Sequence, residues 1–204
     1  PPEAEFIYGA EESHGYLAGS SVRDKDAASA AILLAECAAN LKEQDRSLRA
    51  YLDQIYAEYG YFQEVQKSVT RVGAKGSREI DCIMAALRTD PPEQIGGYPV
   101  FEIIDRKIGK AANSKAGSVR DVAGAKGDAI AFTFSNPGHS RISARPSGTE
   151  PKIKYYVSVT SADQPKTSGG SLNEVKSKVD EMAADIMEGM LALSEQILQE
   201  EPSA

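Results

Sequence analysis

Residues 141–159 read RISARPSGTEPKIKYYVSV and decide the fold of the second half of this chain. Apolar and polar residues alternate on both sides of a central RPSGTEP segment that contains two prolines and a glycine. Alternation with a period of two predicts β-strands with one buried face, and the prolines and glycine predict a tight connection between them. We therefore expect antiparallel strands at Arg141–Arg145 and Lys152–Val159, joined by a polar loop.

This loop combines several groups that bind anions. Its arginine offers a planar fork that matches phosphate oxygens, its serine and threonine can each donate an O–H, and its glycine lets the backbone turn so that N–H groups point at one anion. Two lysines follow directly and add positive charge. The alternative is an ordinary hairpin turn whose hydroxyls satisfy the local backbone. The candidate phosphate-binding residues are Arg145, Ser147, Gly148 and Thr149, together with Lys154.

Composition limits the class of protein. The chain has 204 residues and a net charge of −7, so it forms one large or two small domains and is a poor partner for nucleic acid. No run approaches the roughly 20 apolar residues of a membrane span. Cys37 and Cys82 lie in helical patterns, which predicts buried, reduced thiols and a cytoplasmic protein. The spacing of cysteines and histidines indicates no metal site.

The first half of the chain shows helical periodicity between short apolar runs. The sequence begins with PPEAE and enters an apolar run abruptly, so we expect a piece of a longer protein. An opening strand without sheet neighbours should leave apolar surface exposed or paired with another chain. The predicted elements are a buried strand at 6–9, helices at 27–41 and from Ser47 to Gly60, a strand at 65–72, and a helix from Ser77 to Asp90.

The second half alternates strand patterns with polar loops and ends with a long amphipathic helix. Ser171 and Glu174 have the spacing of a capping box, and apolar residues then recur at steps of three and four as far as Ile197. A segment at 90–97 with two prolines and two glycines predicts the domain boundary. The other predicted elements are strands at 98–105 and 129–134, mostly loop at 106–128, a turn at 136–138, and a polar linker at 161–170.

Three short segments together resemble the α-D-phosphohexomutase superfamily, which includes phosphoglucomutase and phosphomannomutase. They are the loop at 145–151, GAEESHGY at 9–16 and RDKD at 23–26, with further similarity at 56–61 and 140–145. The resemblance is closest to the branch that also includes phosphopentomutases. It implies a four-domain enzyme that interconverts sugar 1-phosphates and 6-phosphates through a phosphoserine and a bisphosphorylated sugar, with Mg²⁺ and a sugar bisphosphate activator.

Two family motifs, Ser-His-Asn-Pro for the phosphoserine and Asp-x-Asp-x-Asp for the metal, do not occur in this sequence. The similar Ser-Asn-Pro-Gly at 135–138 lacks the histidine and is interpreted as a turn. The resemblance therefore implies the C-terminal part of such an enzyme, inactive by itself. It assigns 1–90 to the end of the third, sugar-binding domain and 91–204 to the fourth, phosphate-binding domain. The implied fold is an α/β remnant followed by an α+β domain with a small antiparallel sheet and a long covering helix.

The resemblance also implies roles for individual residues. Glu11 and Ser13 match the family's sugar-reading glutamate and serine, and His14 is a neighbouring loop residue that approaches the ligand. Lys25 matches a lysine that reaches the substrate, or else it pairs with Asp24 or Asp26 at a helix entry. Lys154 stands where many relatives have an arginine. No catalytic residue and no metal ligand is expected in this chain.

The expected partners are a phosphorylated sugar and the upstream domains of the same polypeptide. Two alternatives of other classes stay open. One is a non-catalytic module that binds sugar phosphates, and the other is an oligomerisation module in which the terminal helix pairs between chains. Phosphopentomutase-type specificity is a further possibility within the family.

Overall fold

A computed structural model describes residues 5–11, 15–114, 116–134, 140–148, 150–163 and 171–200. The contacts divide the chain into two compact units, residues 1–55 and 56–204. Within the described part of the chain, no helix combines the length and the apolar character needed to cross a membrane.

The first unit is built from one hairpin and helices. Strands β1 (Tyr8–Ala10) and β2 (Tyr16–Ala18) pair antiparallel. Helix α1 (Ala27–Glu43) follows, and α2 (Leu48–Tyr59) begins in this unit. The Ala50 N–H donates to the hydroxyl of Ser47 at 3.1 Å, as expected of an N-cap. Both predicted helices are confirmed.

The predicted burial of the opening strand is wrong. Phe6, Ile7 and Tyr8 are 46%, 79% and 50% exposed. Helix α1 likewise exposes three consecutive apolar residues, Ile32 to Leu34. The reason is that β1 pairs only with the short β2 in the described residues, so no wider sheet covers it. The expectation of exposed apolar surface in this half is confirmed.

The second unit contains a seven-stranded antiparallel sheet in the order β3-β11-β10-β9-β6-β7-β8, with a separate hairpin β4–β5. The antiparallel sheet and the long C-terminal helix agree with the predicted fold class. The elements are β3 (Phe62–Thr70), α3 (Gly73–Thr89), β4 (Gln94–Ile95), β5 (Tyr98–Pro99), β6 (Glu102–Asp105), β7 (Lys110–Asn113), β8 (Val119–Asp121), β9 (Ile130–Thr133), β10 (Arg141–Pro146), β11 (Lys152–Thr160) and α4 (Leu172–Glu200).

Helices α3 and α4 share one hydrophobic core with the sheet. Alternate residues of the strands point into it, which leaves the other residues for the opposite face. The predicted capping box of α4 is confirmed, because the Ser171 N–H donates to the Glu174 carboxylate at 2.8 Å and the Glu174 N–H donates to the Ser171 hydroxyl at 3.3 Å. The fully buried core includes Ile83, Leu87, Phe132, Ile142, Ile153, Tyr155, Val157, Val179, Ile186 and Met190.

Three elements differ from the sequence predictions. Helix α3 begins at Gly73, about one turn before the predicted cap at Ser77. The segment at 106–128, predicted as loop, contains β7 and β8, and Ala111 in β7 is buried. The single strand predicted at 98–105 is divided into β5 and β6. In each case the backbone is ordered by pairing or packing partners that a local pattern does not reveal.

The division into compact units falls between Ile55 and Tyr56, well before the boundary predicted at residues 90 and 91. Strand β3 pairs with β11 along its whole length, from Phe62 opposite Thr160 to Thr70 opposite Lys152. Helix α3 packs against α4 and β11. Both elements therefore belong to the second unit.

Candidate functional site

The predicted phosphate loop connects two paired strands in the second unit. In the register of β10 and β11, Arg145 lies opposite Lys154 and Pro146 lies opposite Ile153. The loop is closed by the Ser147 N–H, which donates to the Lys152 carbonyl at 2.8 Å, and by the Lys152 N–H, which donates to the Glu150 carbonyl at 2.7 Å. Ser147 and Glu150 are thus held to the start of β11 by backbone hydrogen bonds.

Arg145 and Lys154 occupy the sheet face that points away from the core. Their neighbours Ala144, Ile153 and Tyr155 are at most 1% exposed and face the helices. Because side chains alternate along a strand, the two cations share the opposite face, where Arg145 is exposed and Lys154 half-buried. Neither forms an ion pair with a carboxylate among the described residues. Like charges directly opposite each other destabilise a strand pair, so this face favours an anion.

The acidic residue of the loop is paired with the other lysine. The Lys152 Nζ lies 2.7 Å from a Glu150 carboxylate oxygen. This hydrogen bond, and secondarily the charge of Lys152, lowers the pKa of Glu150, with a smaller contribution from Lys154. Glu150 is therefore neutralised mainly by Lys152, which leaves the positive charge of Arg145 and Lys154 largely available.

Gly148 contributes space to the loop. It is exposed, and a Cβ built on it would meet no other atom within 4 Å. Its φ is outside the left-handed region, so the turn does not use the backbone freedom expected from the sequence. The open space on Gly148 suits close approach of a ligand to the backbone. Thr149 lies outside the described residues.

The predicted sugar loop belongs to the first unit, where the structure brings Glu11 and Lys25 together. The Lys25 Nζ lies 3.5 Å from a Glu11 carboxylate oxygen, and both side chains are about half exposed, at 53% and 52%. The Glu11 N–H donates to the Gly15 carbonyl at 2.8 Å. A Cβ on Gly15 would lie 2.2 Å from the Lys25 Cδ, so the lysine stem crosses directly over this glycine. Ser13 and His14 lie outside the described residues.

The two aspartates beside Lys25 have different partners. Asp24 accepts from the Lys25 N–H at 2.7 Å and lies 3.6 Å from its Nζ, and the backbone hydrogen bond is the main reason why the pKa of Asp24 is lowered. Asp26 caps α1 by accepting from the N–H groups of Ala28 and Ser29. A hydrogen bond from the Ser29 hydroxyl lowers the pKa of Asp26 most. Lys25 thus contacts Glu11 and also Asp24, one of the two aspartates with which it was expected to pair at a helix entry.

The described residues contain no group of three or more His, Cys, Asp and Glu side chains arranged to hold a metal ion. Within the RDKD segment, Asp24 is engaged by Lys25 and Asp26 by the start of α1. These two carboxylates therefore do not fit a divalent cation, which prefers six or more oxygen ligands.

One residue beside the loop was not identified from the sequence. The Arg71 N–H donates to the carbonyl of Pro151, the last residue of the RPSGTEP segment, at 2.8 Å. Arg71 is 80 residues away in sequence, and it is placed there by the register of β3 and β11. Local periodicity contains no signal for such a contact, since it depends on long-range strand pairing.

Comparisons with known proteins give a consistent family. Residues 2–59 match the family model for phosphoglucomutase/phosphomannomutase, alpha/beta/alpha domain III. A phosphoglucomutase of Staphylococcus epidermidis is 40% identical over 159 residues, which are 78% of this chain and 29% of that protein. A phosphoglucomutase of Staphylococcus aureus strain N315 is 35% identical over 158 residues, which are 78% of this chain and 28% of that protein. The chain thus spans less than a third of the length of these curated relatives.

A solved structure shows the same fold. The crystal structure of pp63/parafusin, an exocytosis-sensitive phosphoprotein and phosphoglucomutase from Paramecium, in its open form, matches with a TM-score of 0.53. The sequence identity is 18%, and the match covers 95% of this chain and 31% of that one. Together, the family-model match, the identity to two phosphoglucomutases and this structural match show that the chain belongs to the α-D-phosphohexomutase superfamily and represents a C-terminal part of such a protein.

Proposed function

We propose that this chain is the substrate-recognising C-terminal part of a phosphoglucomutase/phosphomannomutase-type enzyme, an intramolecular phosphotransferase. The whole enzyme interconverts sugar 1-phosphates and 6-phosphates through a phosphoserine and a bisphosphorylated sugar. Because the match to domain III ends at residue 59 and the compact units divide at residues 55 and 56, the proposal places the end of the third domain there. The second unit then forms the fourth, phosphate-binding domain.

The observation that supports phosphate binding most directly is the position of Arg145 opposite Lys154. A phosphate ester has a charge between about −1.5 and −2 at pH 7, so it would neutralise both cations. The guanidinium can bind two phosphate oxygens at once, whereas the lysine acts as a point charge. Ser147 is partly exposed beside them, and Gly148 leaves room for the ligand. Thr149 belongs to the same proposal through its place in the loop.

The Glu11–Lys25 pair supports recognition of the sugar. A carboxylate can accept hydrogen bonds from two hydroxyl groups, and a lysine can donate to a sugar or phosphate oxygen. An exposed ion pair is typically worth about 0–1 kcal/mol, so a ligand can replace it at little cost. Ser13 and His14 belong to the same proposal through their place in the sequence.

The described residues supply binding groups, and no chemical step is assigned to them. The phosphoserine loop, the Mg²⁺ ligands and the site of the bisphosphate activator are proposed to lie in the upstream domains of the same polypeptide. No described set of carboxylates fits the metal. Cys37 and Cys82 are only partly buried, contrary to the prediction, but both are free thiols, which supports a cytoplasmic location for the whole enzyme.

Titration calorimetry with inorganic phosphate and with glucose 1-phosphate tests the proposal. Arg145→Ala should weaken binding by about 1.5–3 kcal/mol, on the order of 10- to 150-fold, because it removes a charge-assisted hydrogen bond. Arg141→Ala is the matched control, since Arg141 is an exposed arginine on the same strand and the same sheet face. Equal affinities of wild type and Arg145→Ala would refute the site.

A further inference from the structure

Arg71 attaches the phosphate loop to the edge of the sheet. It directly follows β3, and its N–H donates to Pro151 at 2.8 Å where the loop enters β11. One residue earlier, Thr70 is paired with Lys152. The C-terminal end of the loop is therefore fixed to the corner between β3 and α3.

The Arg71 side chain connects this corner to both helices. Its Nη1 lies 3.7 Å from a carboxylate oxygen of Glu79 in α3, and its Nη2 is hydrogen-bonded to Glu195 in α4. The side chain of Arg71 is only 20% exposed. The guanidinium of Arg71 thus joins the end of the edge strand β3 to α3 and α4, the two helices that cover the core.

Stability alone does not explain an arginine at this position. The Nε atom of Arg71 is buried and has no hydrogen-bond acceptor among the described residues. A buried N–H without an acceptor destabilises the folded state, so such a group calls for another explanation. The ion pair of Glu79 with Lys75, at 3.7 Å, would also leave Glu79 with a cation if Arg71 were absent.

The backbone around Arg71 is held closely as well. A Cβ on Gly76 would lie 2.1 Å from the Arg71 carbonyl oxygen, so the first turn of α3 packs directly on this residue. The Gly76 N–H donates to the Val72 carbonyl at 3.3 Å, which closes the turn. Arg71 is thus a fixed point from which the loop can be oriented.

We propose that Arg71 is a positioning residue for anion binding at the β10–β11 loop, acting through Pro151 and not through contact with the ligand. Its guanidinium contacts α3 and α4, whereas Arg145 and Lys154 lie on the opposite face of the sheet. This inference rests on the proposed function of the loop. It adds that the loop's anion affinity depends on the ion pairs of Arg71 with Glu79 and Glu195, which we call the tether.

The test compares Arg71→Met and Arg71→Lys with Arg78→Met, a control at an exposed arginine in α3. The probe is inorganic phosphate, titrated into the 204-residue chain, and amide hydrogen exchange is measured without phosphate. In Arg71→Met, we expect the loop amides of Ser147 and Lys152 to exchange on the order of tenfold faster, and phosphate to bind on the order of tenfold more weakly. Arg71→Lys should restore part of both effects, and Arg78→Met should show neither.

The outcomes separate this inference from the proposed function. Unchanged exchange at the Ser147 and Lys152 amides would overturn the tether. Faster exchange with unchanged phosphate affinity would leave Arg71 a purely structural role and overturn it too. Absence of phosphate binding in wild type would overturn the proposed function, and this inference with it. If Arg71→Met does not fold, Glu195→Gln provides the same comparison, because Glu195 is about half exposed and its loss removes only one end of the tether.

Discussion

Replacing Lys154 should change stability and ligand affinity in opposite directions. In the free protein Lys154 faces Arg145 across the strand pair, without a carboxylate partner among the described residues. Lys154→Met keeps the long aliphatic stem of this half-buried side chain and removes the charge. The variant should therefore be more stable than wild type without phosphate, and bind phosphate less tightly.

The expected magnitude follows from Coulomb's law. Two unit charges about 6 Å apart in a water-like dielectric repel by about 0.7 kcal/mol. Like charges opposite each other in a sheet cost roughly 0.2–1 kcal/mol, which agrees. Lys154→Met should thus raise the free energy of unfolding by about 0.2–1 kcal/mol at low ionic strength, and less at about 1 M salt, where screening acts within roughly 3 Å.

Urea unfolding with and without phosphate measures both effects. A ligand at 100 times its Kd stabilises the folded protein by about 2.7 kcal/mol, so a weaker Kd appears directly as a smaller shift. Lys154→Arg is the control that keeps the charge, and it should retain the repulsion and bind phosphate at least as well. A Lys154→Met protein that is no more stable at low salt, and equally stabilised by phosphate, would refute the reasoning.

Three further predictions concern other parts of the chain. In the whole enzyme, Glu11→Gln should lower turnover more than phosphate affinity, and unchanged kcat and kcat/KM for both the 1- and 6-phosphates would contradict a sugar-reading role. Asp26 has a lowered folded-state pKa, so its cap on α1 should stabilise the fold above about pH 4 and lose this effect as pH falls through the folded pKa. Unfolding followed by circular dichroism should therefore show a stability difference between Asp26→Ala and wild type at pH 7 that disappears at acidic pH. Tyr155 is buried and its hydroxyl lies 2.8 Å from the Ser194 hydroxyl, so Ser194→Ala should cost about 1–3 kcal/mol and Tyr155→Phe only about 0.5–1.5 kcal/mol in thermal unfolding.

Elements with a strong local pattern could be predicted from the sequence. The β10–β11 hairpin and the capped helix α4 both have long alternating or periodic runs, and both are confirmed. Strand β7 was missed because Lys110 to Asn113 offers two alanines and no large apolar residue. Its place in the sheet comes from pairing with β6 and β8.

The domain boundary predicted at 90–97 from composition differs from the division into compact units. Prolines and glycines typically mark linkers, but here the segment contains β4 and the turn of the β4–β5 hairpin inside the second unit. Gly96 has a φ of +59°, and a Cβ on it would lie 2.2 Å from the Asp185 carbonyl of α4. The glycine is required by close packing against a helix some 90 residues later, which no local pattern contains.

The candidate site likewise contains features that the sequence predicted and features that depend on contacts distant in sequence. The sequence predicted positive charge from Arg145 and Lys154 at one loop, and the register of β10 and β11 places both residues on the same sheet face. The sequence left open whether Lys25 reaches the substrate or pairs with Asp24 or Asp26, and its contact with Glu11 was not predicted, since it depends on how the chain returns from β2 to α1. The role of Arg71 required the pairing of β3 with β11.

The glycine contact beneath α4 limits which substitutions the second unit can accept. A Cβ on Gly189 would lie 2.3 Å from the backbone nitrogen of Gly96, so alanine at either glycine would force the hairpin and the helix apart. Helix α4 is a single rod of 29 residues, and Glu195, the partner of Arg71, lies less than two turns further along it. A methyl group added at Gly96 or Gly189 would therefore also disturb Glu195, Arg71 and the β10–β11 loop. Distance from the ligand is a poor guide to sequence tolerance in this part of the protein.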